Sequence, residues 1–163
     1  MRYLALFIFP FISSCANQYI EEPVTSSFCD VIESHNMDCP SIKYRDPMSW
    51  ELPNSPLELL AWLKNENVFV GDKVYGYVKE SHIPVLVDLI SSEEKCGFII
   101  SSASSYLPPS GSQSTIGVQA ALLIESYWRE YYPFRLVMGM QETTPSDIRH
   151  WYKNWVSAKK RAE

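Results

Sequence analysis

Two short stretches, Ser55-Pro56-Leu57-Glu58 and Thr144-Pro145-Ser146-Asp147, decide where helices begin in this chain. Each places a hydroxyl side chain at the capping position, proline at the first helical position and an acid at the third. The hydroxyl accepts from an amide that the helix itself leaves without a partner. After Ser55, Leu57, Leu60, Ala61 and Lys64 follow on one face, with Leu59, Trp62 and Leu63 beside it. This spacing predicts a helix from 56 to about 66. After Thr144, Ile148, Trp151, Tyr152, Trp155 and Val156 form the apolar stripe of a last helix.

Between these two starts the same period recurs. Pro84 opens "PVLVDLISS", where Val85, Leu86, Leu89 and Ile90 share a face. "GFIISSASSYL" carries Ile99, Ala103, Tyr106 and Leu107 at helical spacing. "TIGVQAALLIESYWREYY" is the strongest helix, with Ile116, Ala120, Leu123, Ile124, Tyr127 and Tyr131 on its stripe and Pro133 at its end. Glu125 and Arg129 stand four apart in the favourable order. "VFVGDKVYGYVKE" fits two patterns: strands over 68–70 and 74–78 around Gly71-Asp72, or a helix over 71–80 through Val70, Val74, Tyr77 and Val78. The helical context on both sides favours the helix.

The expectation is an all-α fold, a compact bundle or short array of five to six helices over residues 55–163. With 46% hydrophobic residues in 163, the chain has material for one real core. Residues 15–54 carry Pro23, Pro40, Pro47 and Pro53 and read as a tether and irregular segment, with one short helix near Ser27 to Ser34. Trp50 and Leu52 are expected to pin its end to the domain.

The first 14 residues, MRYLALFIFPFISS, pass from one cation, Arg2, through an apolar run ending at Ile12 to two serines. Such a run is too short to span a bilayer as a helix, which takes about 20 residues, and the pattern is that of a secretory signal. Ile12-Ser13-Ser14-Cys15 resembles the lipobox of bacterial lipoproteins: aliphatic, small, small, cysteine. The resemblance implies cleavage before Cys15, a diacylglycerol on its sulfur and an acyl chain such as palmitate on its new amino group. Each buried CH₂ contributes ~0.8 kcal/mol, so several chains anchor stably. Ala16 follows where an inner-membrane retention signal would carry Asp. The resemblance therefore favours the outer membrane, facing the periplasm, over the inner. Losing residues 1–14 leaves 13 cations against 19 acids, a net charge of −6. That balance argues against nucleic acid as a partner.

In the middle of the chain, "HIPVLVDLISSEE" looks like the first helix of a HEAT repeat and "STIGVQAALLIESY" like a second, with small residues where helices cross closely. The stretch from "SSASSYLPPSG" through "LLIESY" also resembles a class of uncharacterised bacterial helical proteins. These resemblances cover roughly residues 55–135 and imply a fold more than a function, since no period repeats along the chain.

Envelope residence implies an oxidising compartment. Besides Cys15, the chain holds Cys29, Cys39 and Cys96. The shorter loop favours a Cys29–Cys39 disulfide, with Cys39–Cys96 the alternative; Cys96, at the edge of a predicted helix, reads as a small buried residue. Cys29, His35, Asp38 and Cys39 lack the tight paired spacings of a structural zinc site. His35, between Glu33 and Asp38, reads as a solvated loop histidine, and Lys159, Lys160 and Arg161 as cations at the negative end of the last helix.

No nucleotide-binding, hydrolase or metalloprotease signature is present, and no cofactor is implied. Ser101, Ser102, Ser104 and Ser105 with His82 or His150 and Asp88 or Glu125 contain the residue types of a nucleophile, base and orienter, but no spacing unites them. The aromatics say more. Trp128, Tyr131, Tyr132, Trp151 and Trp155 crowd the last two helices, and Trp128 and Tyr131 cannot both face one core. They are the candidate partner-binding residues, because buried aromatics dominate binding energy; packing of the last helix on the preceding one is the competing use. The expected function is a membrane-anchored envelope lipoprotein with a non-catalytic protein-interaction domain, an immunity or adaptor protein being specific forms. The alternative is an envelope hydrolase with an unrecognised site.

Overall fold

The helix starts follow their capping residues. In the computed structural model, which describes residues 26–41, 52–66, 68–70, 76–100, 111–128 and 143–162, Ser27 and Asp30 form a reciprocal box at the start of α1 (Phe28–Ser34). Ser55 Oγ accepts from the Glu58 amide at 3.2 Å and opens α2 (Pro56–Leu63). Further along run β1 (Val68–Val70), a 3-10 turn (Glu80–His82), α3 (Ile83–Leu89), β2 (Lys95–Cys96), β3 (Phe98–Ile100), β4 (Ser114–Thr115), α4 (Ile116–Trp128) and α5 (Pro145–Lys159).

The fold is therefore mixed α/β, which corrects the all-α bundle or HEAT-like array expected from helical periodicity. β1 and β3 pair in parallel, with Val68 opposite Phe98 and Val70 opposite Ile100. β2 and β4 pair antiparallel, Cys96 opposite Ser114. The parallel pair needs a crossover, and α3 lies within it. "GFII" reads as helix because its strand is covered on both sides. Ile99 and Ile100 point to opposite faces, yet are 0% and 1% exposed. A strand so buried shows no alternation, only an apolar run, and its branched side chains suit the extended backbone. Residues 101–107 of the expected helix lie outside the described residues.

The helix expected over 71–80 is also corrected where it is described. Gly76 has φ 75°, in the left-handed region that ends a right-handed helix. Lys79 is extended at φ −96° and ψ 160°. Tyr77 is drawn instead to the start of α2, its hydroxyl donating to the Ser55 carbonyl at 2.7 Å.

One apolar core joins all five helices. Phe28 and Ile32 of α1, Leu60 and Leu63 of α2, Leu86 of α3, Leu123 of α4 and Ile148 of α5 are each at most 1% exposed. The packed body thus includes α1 as well as the described elements from α2 to α5. Cys29 and Cys39 are joined as a disulfide, Cα–Cα 5.2 Å, while Cys96 keeps a free, buried thiol on β2. The alternative Cys39–Cys96 pairing is therefore not made, and Cys96 sits on a strand and not at a helix edge.

α4 is fixed at its start by backbone. The Ile116 amide donates to the Glu94 carbonyl at 2.8 Å and the Gly117 amide to the Ser92 carbonyl at 3.1 Å, giving partners to two amides that a helix start leaves open. Two residues on, the buried Gln119 accepts from the Ile99 amide at 3.1 Å and donates to Ser114 Oγ at 2.7 Å. Its side chain thereby serves β3 as a neighbouring strand would.

This approach leaves no room at Gly117. A Cβ there would lie 2.6 Å from the Ile90 carbonyl oxygen and 2.7 Å from that of Ser92, both backbone atoms. Gly→Ala inside a helix ordinarily stabilises by up to about 1 kcal/mol. At Gly117 the clash reverses the sign: Gly117→Ala is expected to destabilise by about 1–3 kcal/mol in urea unfolding. A neutral or stabilising result contradicts this packing.

Candidate functional site

α5 begins at a reciprocal cap. The Asp147 amide donates to Thr144 Oγ1 at 3.2 Å, and the Thr144 amide donates to Asp147 Oδ2 at 3.0 Å. Ahead of it, the buried Thr143 donates to Glu125 Oε1 at 2.8 Å and ties the entrance of α5 to α4. Of the helix itself only Ile148 is buried. Aromatic rings that stay half-exposed add to its hold on the body.

Those rings form a continuous array. Trp128, at the end of α4, stacks on Trp151 with centroids 5.4 Å apart and planes at 28°. Trp151 stacks on Trp155 at 5.9 Å, and Trp155 on Tyr152 at 5.8 Å. Tyr127 meets Trp151 and Trp155 edge-on, at 6.3 and 6.5 Å. Stacked and edge-on pairs at these separations are favourable geometries, each worth ~0.5–1.5 kcal/mol beyond the area they bury. The last helix thus packs on the preceding one through these rings, which is the competing use weighed from the sequence, and the rings keep exposed surface. Tyr131 and Tyr132 lie outside the described residues.

Beside the Trp128–Trp151 stack lies a pocket of about 270 Å³, lined also by Thr143, Asp147, His150 and Asn154. The α5 contribution is one flank: Asp147, His150, Trp151 and Asn154 recur at i, i+3, i+4 and i+7. Asn154 and His150 are within 3.0 Å of each other, which presets both polar ends. Two aromatic walls with a few convergent polar groups make the composition of a binding pocket. Asp147 and Asn154 escape sequence reading because the apolar stripe defines the buried face, whereas this flank is polar. The i, i+3, i+7 recurrence around Trp151 is the available signal.

The other candidates are dispersed. His82 Nδ1 accepts from the Lys79 amide at 3.1 Å at the start of the 3-10 turn. Asp88 faces His35, Nε2 to Oδ2 2.8 Å, and Glu125 serves Thr143. Ser101 to Ser105 lie outside the described residues. His35, in the turn that ends α1, thus bridges α1 to α3 through a solvent-exposed pair. Burial, and secondarily the negative Asp88, raises the Tyr152 phenol above its ordinary pKa and keeps it a neutral hydroxyl. The Cys96 thiol is pushed up to about 12, first by burial and then by Glu94 against a smaller opposing effect of Lys95, so it has no thiolate character at neutral pH. Cys29 and Cys39, being bonded, offer no thiolates. Among the described residues no three His, Cys, Asp or Glu side chains gather as a metal site, and no helix is long and apolar enough to cross a membrane. Cys15 lies outside the described residues.

No protein-family model, curated protein or solved structure matches the chain.

His82 gives a test of its assigned place. Burial first, and the positive Lys79 second, lower its pKa below 6.5, and the neutral ring is the form that accepts the Lys79 amide. The unfolded chain then binds the proton more readily than the folded one. The contribution of His82 is present above pH 6.5 and is lost as pH falls through the lowered folded value. Urea midpoints of wild type and His82→Gln, measured across this range, are expected to differ most above pH 6.5 and to converge below it. Parallel curves would remove His82 from this role.

Proposed function

We propose that this chain is a lipid-anchored protein of the bacterial envelope whose α/β domain binds a protein partner through the α4–α5 aromatic pocket. The observation that carries the reading is the pocket itself, beside the Trp128–Trp151 stack on a helix that buries only Ile148. Its volume suits one large side chain of a partner, and tryptophan-lined pockets with polar rims are where binding energy concentrates. The Cys29–Cys39 disulfide supports residence in an oxidising compartment. The lipobox-like Ile12-Ser13-Ser14-Cys15 supports the anchor. The acidic balance supports a basic partner, since complementary charge speeds encounter. An immunity or adaptor protein is the form this takes.

Asn154 is exposed and packs against nothing in the core, so its substitution tests the pocket without threatening the fold. Envelope extract passed over the immobilised chain is expected to yield a stoichiometric partner with wild type. Asn154→Trp, which fills the pocket, and Trp151→Ala, which removes a wall, are expected to weaken capture at least tenfold, or about 1.4 kcal/mol. Equal capture by wild type and Asn154→Trp would rule out the pocket. Repeated recovery of no partner would count against a binding role.

A further inference from the structure

The basic residues of α5 do more than complement its negative end. Over residues 145–162 the chain carries Arg149, Lys153, Lys159, Lys160 and Arg161 against the single acid Asp147, although the whole chain has a net charge of −5. Arg149, Lys153, Val156 and Lys160 recur at i, i+4, i+7 and i+11, which places them on one flank. At 100° per residue this flank lies roughly 140° around the helix from the pocket flank. Lys153 and Lys160 are exposed, and Val156 is half-buried.

At the end of this flank a groove of about 680 Å³ opens between α5 and the start of α3. Pro84, Trp155 and Val156 give it an apolar lining, and Lys79 and Lys160 stand at its edges. Lys159 turns away from the helix end to pair with Glu80 and to lie over the Trp155 ring, 5.0 Å from its centroid. The one acid of the groove is thereby neutralised. Lys79, Lys153 and Lys160 have no carboxylate partner among the described residues. A tryptophan and a valine among unpaired lysines is the chemistry of a membrane interface: apolar bodies enter the headgroup layer, and ammonium groups stay level with the phosphates.

We infer that the Lys153–Val156–Lys160 flank, with Lys79 across the groove, docks on the surface of an anionic phospholipid bilayer. The inference rests on the membrane-proximal reading above and deepens it. A lipid anchor holds the chain near the bilayer, and this second contact sets the orientation of the domain. With one flank of α5 on the headgroups, the Trp128–Trp151 pocket on another flank is turned away from the lipid and open to a partner. Arg149 donates to Ser91 Oγ and is committed to the turn after α3, so the three lysines carry the contact.

The test uses the full chain purified without lipid on Cys15, so its outcome is independent of lipidation. Sedimentation compares vesicles of pure phosphatidylcholine with vesicles of equimolar phosphatidylcholine and phosphatidylglycerol. The apolar N-terminal run contributes to both, and the ratio of the two partition coefficients isolates charge. Each cation near an anionic surface is worth roughly fivefold. The triple variant Lys79→Gln, Lys153→Gln and Lys160→Gln, all exposed positions, is expected to lower the ratio about a hundredfold. Added salt is expected to lower the wild-type ratio towards that of the variant. An unchanged ratio in the triple variant overturns the inference. So does specific release by inorganic phosphate at constant ionic strength, which would make the groove a site for free phosphate. Either result leaves partner capture at the pocket untouched.

Discussion

The rest of the structure depends on how α4 begins. At Gly117 the helix backbone meets the carbonyls of Ile90 and Ser92 closely enough that no side chain fits between them. The first amides of α4 are satisfied by the turn that follows α3. Two residues later Gln119 reaches into β3 and satisfies the Ile99 amide. An unmet buried amide costs about 1–3 kcal/mol, so this single side chain settles how the helix layer sits on the β1–β3 pair. Because α4 is held at that end, the position of its other end follows, and Trp128 is delivered to α5.

A second set of contacts brings the N-terminal part of the body under the same control. Glu94, in the turn before β2, accepts from the Phe28 amide at 3.1 Å with one oxygen and meets Lys64 of α2 at 2.5 Å with the other. An acid at a helix start also favours the positive end of that helix. His35 closes the other end of α1 onto Asp88, and the Cys29–Cys39 bond holds the following segment against it. α1 is short, and isolated helices of its length do not persist in water. Its order comes from Phe28, Val31 and Ile32 in the core and from these polar ties at both ends.

Much of this was legible in the sequence, and what was not has physical reasons. Helix starts were legible because capping is local: Ser55, Thr144 and their proline and acid neighbours announce them. The strands were legible only in part. Val68–Val70 was weighed as a strand beside the Gly71-Asp72 turn, but its partner Phe98–Ile100 lies across a crossover, and burial of Ile99 and Ile100 on opposite faces removes the alternation that marks a strand. Ile99 fell at helical spacing from Ala103 by coincidence of apolar residues. The small residues of "STIGVQAALLIESY" were legible as sites of close approach, and Gly117 meets Ile90 and Ser92, at the end of the stretch read as the first HEAT helix. At the site, the crowd of tryptophans was visible from composition, and the stacking order needed the fold. His35–Asp88 and Gln119–Ile99 are long-range polar pairs, for which one sequence carries no pattern.

The picture is of a small α/β body whose last helix is only lightly buried and presents two unlike flanks. One is an aromatic pocket rimmed by Asp147, His150 and Asn154, and the other is a lysine-bearing strip. Both proposed uses belong to a domain held beside a bilayer outside the cytoplasm, and that proposed address rests on Cys15. Intact-mass measurement of the native chain extracted from the membrane fraction tests it most directly. The account predicts a polypeptide starting at Cys15 and carrying the added mass of a diacylglycerol and an acyl chain. A chain that retains Met1, or a Cys15 without lipid mass, would contradict it.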